Sequence, residues 1–138
     1  MIVYLDTSAL VKLYVEEDES SSVVSLVESS EVTSTSLIAY AEARAAFARR
    51  FREKAFTSVE HDRIKAFFDK DWSNHFILNI TGEMIKQAGH LAEKHALRGF
   101  DSIHLASALI LRSKSSSPIV FSCFDDNLQE AFERENLD

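Results

Sequence analysis

Short apolar runs rich in β-branched and aromatic residues alternate along this chain with longer segments in which apolar residues recur at helical spacing. The runs predict four strands, at about Ile2–Leu5, Val32–Thr35, Phe76–Ile80 and Ile119–Ser122. The segments between and after them predict helices at about Ser8–Glu16, Asp18–Glu28, Leu37–Lys54, Ser58–Trp72, Gly82–His95, Phe100–Ser113 and Asp126–Asn136. Apolar strands that alternate with helices are typical of a parallel sheet covered on both faces. The pattern therefore predicts the α/β fold class.

Length and composition favour a single folded domain. The chain has 138 residues, of which 46% are hydrophobic, enough for one domain with a real core. We find no internal repeat and no interdomain linker, so residues 1–138 are predicted to form one domain.

Charge and cysteine content narrow the possible functions. The formal net charge is -7, which argues against wholesale nonspecific binding to nucleic acid but leaves a nuclease with metal-binding carboxylates possible. The single cysteine, Cys123, rules out an internal disulfide framework or a cysteine zinc site. We predict a cytoplasmic protein with no signal peptide and no membrane-spanning segment.

Four acidic residues lie in or next to strongly apolar segments: Asp6, Glu42, Asp101 and Asp125. Carboxylates beside core-forming segments are costly unless their charge is compensated. In open parallel sheets, ligands bind beyond the carboxyl ends of the strands, and Asp6 and Asp125 both follow a strand. If the four acids converge, oxygen-only ligation favours Mg²⁺ or Mn²⁺.

Helix capping is the competing explanation for two of these acids. Asp6 could cap the helix that follows it, but Thr7 and Ser8 could do so as well, so that helix does not need Asp6. Asp101 opens a helix that is apolar nearly all round, and taken singly it is better explained as a cap. His104, one turn further along, is predicted to pack within the helix or lie at a solvent edge rather than to act in catalysis.

Glu42 is harder to explain by structure alone. Its helical neighbours three and four positions away are Ile38, Ala39, Ala45 and Ala46, so no ion pair is available on its own helix. A glutamate on an apolar stripe without a local partner indicates a functional role.

Near the C-terminus, Asp125 and Asp126 are adjacent, and one cap suffices for the last helix. Asp126 and Gln129 have capping-box spacing. We therefore assign Asp126 to the cap and Asp125 to the site, although the reverse assignment stays open.

Four sequence segments, in this order, resemble the PIN domain and more narrowly the VapC-type toxin ribonucleases. They are Leu5–Tyr14, Ala41–Arg44, Gly99–Ala106 and Phe121–Asp125. The resemblance covers essentially the whole chain. It implies a PIN fold, with a parallel sheet of strand order 3-2-1-4-5 flanked by helices. The fifth strand is expected to be short or absent, since the tail is short and polar.

The resemblance also implies roles for particular residues. Asp6, Glu42, Asp101 and Asp125 fall on the family's acidic metal-binding positions, and they are the candidate catalytic groups. Thr7 and Ser8 fall on small hydroxyl positions beside the first acid. Cys123 stands where the family usually has threonine, so a weaker hydrogen-bonding thiol replaces a hydroxyl near Asp125.

The implied activity is hydrolysis of RNA phosphodiester bonds with Mg²⁺ or Mn²⁺. Implied partners are an RNA substrate, a VapB-like antitoxin and a second copy of the chain in a homodimer. A basic cluster could bind RNA phosphates or could simply be a solvated helix end. Two other functions stay open, namely a housekeeping nuclease of RNA processing or decay and a catalytically silent binding module. The candidate RNA contacts are Lys12, Arg44, Arg49, Arg50 and Arg52.

Overall fold

A parallel sheet of four strands lies at the centre of the computed structural model, which describes residues 1–136. The strands are β1 (Ile2–Leu5), β2 (Val32–Ser36), β3 (Phe76–Leu78) and β4 (Ile119–Ser122). Their order is β3-β2-β1-β4 and every pairing is parallel, which confirms the predicted order of the first four strands. Within residues 1–136 no fifth strand is present, as the short polar tail led us to expect.

Seven helices connect and cover the strands in the described part of the chain. They are α1 (Thr7–Val11), α2 (Ser20–Glu28), α3 (Ala39–Arg52), α4 (Ser58–Trp72), α5 (Gly82–His95), α6 (Gly99–Lys114) and α7 (Asp126–Asn136). None of the helices in residues 1–136 combines the length and apolar character needed to cross a bilayer.

The first helix is shorter than predicted. It ends at Val11 rather than near Glu16, because the backbone tightens after Val11. The amides of Lys12, Leu13 and Tyr14 each donate to the carbonyl three residues earlier. Sequence periodicity does not distinguish such a tightened turn from a continuing α-helix.

Two hydrophobic clusters pack against the two faces of the sheet. Strand β1 contributes to both because successive side chains point to opposite faces. Tyr4 packs with residues of α5, α6, β4 and α7, whereas Val3 and Leu5 pack with residues of α1, α3 and α4. The sheet therefore holds the carboxyl ends of its strands at one fixed edge, where Asp6, Glu42 and Asp125 follow β1, β2 and β4 in the chain.

A polar cluster ties α4 to the segment after α1 at the opposite edge of the sheet. The Tyr14 hydroxyl donates to Asp71 Oδ2 at 2.6 Å, and Asn74 donates to Asp71 Oδ1 at 3.0 Å. His75 Nε2 lies 2.8 Å from the same tyrosine oxygen. Burial would raise the pKa of Asp71, but the hydrogen bonds from Tyr14 and Asn74 hold that pKa below its usual range. These contacts fasten helices that lie away from the acidic residues.

We expect Tyr14→Phe to lower the free energy of unfolding by about 1–3 kcal/mol, because it removes a hydrogen bond to a charged carboxylate. The loss should be largest at neutral pH. Asp71 has a depressed pKa in the folded state, so its contribution is present above the unfolded pKa and fades as the pH falls through the folded pKa. Urea unfolding at pH 7 and at low pH measures both effects. An equal loss at both pH values would contradict this assignment.

Candidate functional site

Asp6 is buried at the end of β1, with only 4% of its surface exposed. Its Oδ1 accepts hydrogen bonds from the Ala9 amide at 3.0 Å and the Ser8 hydroxyl at 2.7 Å. Asp6 is therefore the N-cap of α1, and our expectation that this helix does not need it was wrong. Among the described residues no hydrogen bond reaches the second carboxylate oxygen, Oδ2, which remains available to a ligand.

No lysine or arginine within residues 1–136 forms an ion pair with Asp6. Burial raises the pKa of Asp6, and the nearby carboxylate of Asp101 raises it further, whereas the Ser8 hydroxyl and His104 oppose the rise. Ionised Asp6 therefore carries an electrostatic cost, which a cation placed beside it would reduce.

Glu42 lies in the first turn of α3 and is held by side chains from two other helices. Its Oε1 accepts from Thr7 Oγ1 at 2.5 Å and from His104 Nε2 at 2.9 Å. Burial would raise the pKa of Glu42, but the hydrogen bonds from His104 and Thr7 lower it overall. The partners that its own helix lacks thus come from α1 and α6.

The sequence analysis did not assign His104 to the site. It is 2% exposed, which confirms the packed position that we gave as one alternative and contradicts the solvent-edge position that we gave as the other. Its Nδ1 lies 2.8 Å from the Tyr4 hydroxyl while its Nε2 bonds Glu42. Because an ionised carboxylate can only accept, Nε2 donates to Glu42, and Nδ1 shares a second hydrogen bond with the Tyr4 hydroxyl. The available signal was its spacing three residues after Asp101 on an otherwise apolar helix.

Arg98 lies between the other two acids. Its Nε is 3.2 Å from Asp101 Oδ2, and a terminal nitrogen is 3.8 Å from Asp125 Oδ2. Helix α6 begins at Gly99 with Arg98 as its N-cap residue, so Asp101 lies in the first turn and is not the cap that single-residue reasoning favoured.

Asp125 caps α7, which reverses our assignment of that role to Asp126. The Leu128 amide donates to Asp125 Oδ1 at 2.9 Å, and the Gln129 amide donates to the Asp125 carbonyl at 3.0 Å. The amide three residues beyond the capping side chain is the unpaired donor of the first turn, and here that spacing selects Asp125. Asp126 is exposed.

Two of the four acids line one cavity, and the other two lie near them. Glu42 and Asp101 line a cavity of about 420 Å³ together with Arg98, Gly99 and Phe100. Asp6 lies close enough to Asp101 to be affected by its charge, and Arg98 joins Asp101 to Asp125. No three metal-binding side chains in residues 1–136 are already arranged to share an ion. The acids are therefore neighbours, but within the described residues they do not form a ready-made set of metal ligands.

The neighbouring hydroxyl and thiol groups differ in what they contact. Thr7 bonds Glu42, and Ser8 bonds Asp6 while accepting from the Phe124 amide at 3.2 Å. The Cys123 thiol instead faces the Asp125 carbonyl at 3.5 Å, so it does not touch the Asp125 carboxylate. Burial raises the pKa of Cys123 to about 12, which keeps the thiol neutral.

Most of the candidate RNA-contacting cations already have anionic partners. Lys12 and Arg50 approach Glu17 at 3.1 and 2.5 Å, the latter without hydrogen-bond geometry. Arg44 pairs with Asp69 at 3.7 Å, and Arg49 pairs with Glu53 at 3.6 Å. Arg52 lies exposed in the last turn of α3. These ion pairs favour a solvated helix surface, and RNA contact by this cluster remains a prediction.

Comparison with known proteins gives consistent matches. Residues 3–133 match the PIN domain family. Ribonuclease VapC45 of Mycobacterium tuberculosis is 39% identical over 108 residues, which is 78% of this chain and 75% of that protein.

Solved structures share the fold at lower identity. VapC20 of Mycobacterium tuberculosis, a toxin that cleaves the sarcin–ricin loop, superposes with a TM-score of 0.68 at 18% identity over 94% of each chain. A toxin–antitoxin complex from Klebsiella pneumoniae contains a chain with a TM-score of 0.58 at 21% identity, covering 86% of this chain and 95% of that one.

Proposed function

The chain belongs to the PIN-domain family and, within it, to the VapC-type ribonucleases, and we propose that it is a metal-dependent endoribonuclease that serves as the toxin of a toxin–antitoxin pair. One observation carries the proposal. Glu42 of α3 and Asp101 of α6 line one cavity, and the neighbouring Asp6, the most buried of the acids, forms no ion pair with a lysine or arginine within residues 1–136. Such an arrangement suits the hydrolysis of an anionic substrate with a bound cation.

The donor set fits Mg²⁺ or Mn²⁺. Asp6, Glu42, Asp101 and Asp125 offer only carboxylate oxygens, which hard divalent cations prefer, and the neutral Cys123 thiol is unsuited to bind a metal. When bound, the cation lowers the pKa of a coordinated water and stabilises charge on the leaving oxygen.

The chain's own side chains orient these acids. Ser8 and the Ala9 amide fix Oδ1 of Asp6, while Thr7 and His104 fix Oε1 of Glu42. Each acid therefore keeps one oxygen for positioning and one for a ligand. Arg98 is 82% exposed at its side chain, so it is free to leave the acids and accompany a substrate phosphate.

An antitoxin protein is the proposed partner. The support is that one solved structure with this fold is a toxin–antitoxin complex, and that ribonuclease VapC45 is a relative of this chain. The homodimer remains a prediction.

We expect the purified chain to cleave RNA endonucleolytically, to lose this activity in EDTA, and to regain it with excess Mg²⁺ or Mn²⁺. The physical reason is that four neighbouring carboxylates repel one another and need a cation to act together. Gel analysis of cleaved ends on a defined RNA measures the activity, and a mock preparation from cells that express Asp101→Asn controls for contaminating nucleases. RNase activity that survives EDTA, or that is equal in the Asp101→Asn preparation, would overturn the proposal.

A further inference from the structure

Two phenylalanine side chains stand exposed beside the acids of the cleft. Phe100 is 60% exposed and Phe124 is 44% exposed. A single exposed apolar residue is ordinary. These two, however, directly precede Asp101 and Asp125, the pair of acids that Arg98 joins. Phe100 therefore lines the acidic cleft, and Phe124 lies next to Asp125, which Arg98 links to that cleft.

Phe100 is held by the first turn of a rigid helix. It lies in α6, whose later residues are buried almost continuously, and it lines the cavity with Glu42 and Asp101. Its ring thus forms part of the cleft wall while remaining open to solvent.

Phe124 is fixed from the other side of the site. Its amide donates to the Ser8 hydroxyl, which also bonds Asp6, so its position is tied to the most buried acid. The Lys12 ammonium lies 4.6 Å from the centre of its ring. A cation over an aromatic face is a favourable contact, and it leaves a positive charge next to the exposed ring.

Exposed rings beside cations match the chemistry of unpaired nucleotides. Bases stack on aromatic side chains in proteins that bind single strands, and cations alongside hold the phosphates. Lys12 and Arg98 place positive charge next to the rings in a chain whose formal net charge is -7. Each is also paired with a carboxylate, so a phosphate would have to compete with Glu17 for Lys12 and with Asp101 for Arg98. A base-paired duplex would keep its base faces stacked inside and out of reach of these rings.

We propose that Phe100 and Phe124 form a stacking platform for unpaired bases of single-stranded RNA at the mouth of the acidic cleft. The inference rests on the proposed ribonuclease function and adds to it the residues that hold the bases.

The test measures binding of two fluorescein-labelled probes by fluorescence anisotropy. One is a short oligouridine, and the other has the same ribose–phosphate backbone without bases. The full chain carries Asp6→Asn throughout so that RNA is not cut. Phe100→Ala and Phe124→Ala should each weaken oligouridine binding roughly 5- to 150-fold, the range that one stacked base contributes. Neither substitution should change binding of the abasic probe.

Phe67→Ala is the matched control, because Phe67 is also 60% exposed but lines a separate cleft near Tyr14. It should leave both affinities unchanged, and Phe100→Trp should retain or tighten oligouridine binding. Equal losses for both probes, or unchanged oligouridine affinity, would overturn the platform. So would a change of oligomeric state in light scattering without a change in RNA affinity, since the rings would then serve a protein interface.

Cleavage by the chain with intact acids separates this inference from the proposed function. If that chain cuts RNA while both alanine variants bind and cut like it, only the platform fails. If the anisotropy pattern is as expected but no metal-dependent cleavage occurs, only the ribonuclease assignment fails. If the chain neither binds nor cuts RNA, both are overturned.

Discussion

Asp6→Asn should lower RNA cleavage at least about 100-fold while leaving the metal-free protein as stable as the parent or more so. A loss above the roughly 10- to 100-fold typical of a ligand's hydrogen-bond partner is expected, because Asp6 is itself a proposed ligand. Cleavage should fall while stability holds or rises, and this combination distinguishes a carboxylate needed for activity from one needed for the fold.

The expected stability of the Asp6→Asn protein follows from the surroundings of Asp6. Asparagine is as good an N-cap as aspartate, so its side-chain oxygen can still accept from the Ala9 amide and the Ser8 hydroxyl. What the substitution removes is a buried charge whose pKa is raised by that burial. A group with a raised carboxyl pKa opposes folding once it is ionised, so its neutral replacement removes that cost at neutral pH.

Cleavage rates measured with the metal present test the loss of activity, and thermal unfolding in EDTA tests the stability of the metal-free protein. Asp126→Asn is the matched control, since Asp126 is exposed and adjacent to the site without capping α7. It should change neither quantity. A slow and strongly destabilised Asp6→Asn protein would show that the carboxylate serves the fold, and full cleavage activity would remove Asp6 from the mechanism.

The strands and the position of the site could be predicted because both depend on local pattern. Three of the predicted strands begin or end within one residue of the observed bounds, and β3 ends two residues early. Parallel strands place their carboxyl ends at one edge, so the acids that follow β1 and β4 had to lie near each other. Glu42 and Asp101 lie on helices and not at strand ends, so the strand pattern did not place them, and they were singled out by their apolar helical surroundings and by the family resemblance.

Cap assignments and the buried hydrogen bonds could not be predicted. Spacing favoured Asp126 over Asp125 as the cap, and only the course of the chain into α7 decides that the Asp125 side chain meets the Leu128 amide. The partner of Glu42 was hidden for another reason. His104 is 62 residues away from it, and Tyr4 is 100 residues away from His104, so no local pattern relates them.

The buried network offers a second large effect, on metal affinity. His104→Asn places an amide near the former Nδ1, where it can still meet the Tyr4 hydroxyl, but it cannot reach Glu42. His104→Gln can reach Glu42 but leaves Tyr4 without its partner. We expect His104→Asn to weaken Mn²⁺ binding about 10- to 100-fold, since outer partners of metal ligands typically contribute that much. His104→Gln should largely retain the affinity.

Both variants should lose about 1–3 kcal/mol of unfolding free energy, because each leaves one buried polar group without its hydrogen bond. Stability alone therefore cannot distinguish them, and isothermal titration with Mn²⁺ can. Thr7→Val is an independent test of the hydrogen bonds to Glu42. It removes the other donor to Glu42 from a partly exposed position while keeping the β-branched shape. It should weaken Mn²⁺ binding in the same direction as His104→Asn with a smaller loss of stability. Equal Mn²⁺ affinities in all three variants and the parent would mean that the network from Tyr4 to Glu42 serves folding only. Glu42 would then bind metal equally well without its hydrogen-bond donors, so it would not need them for orientation.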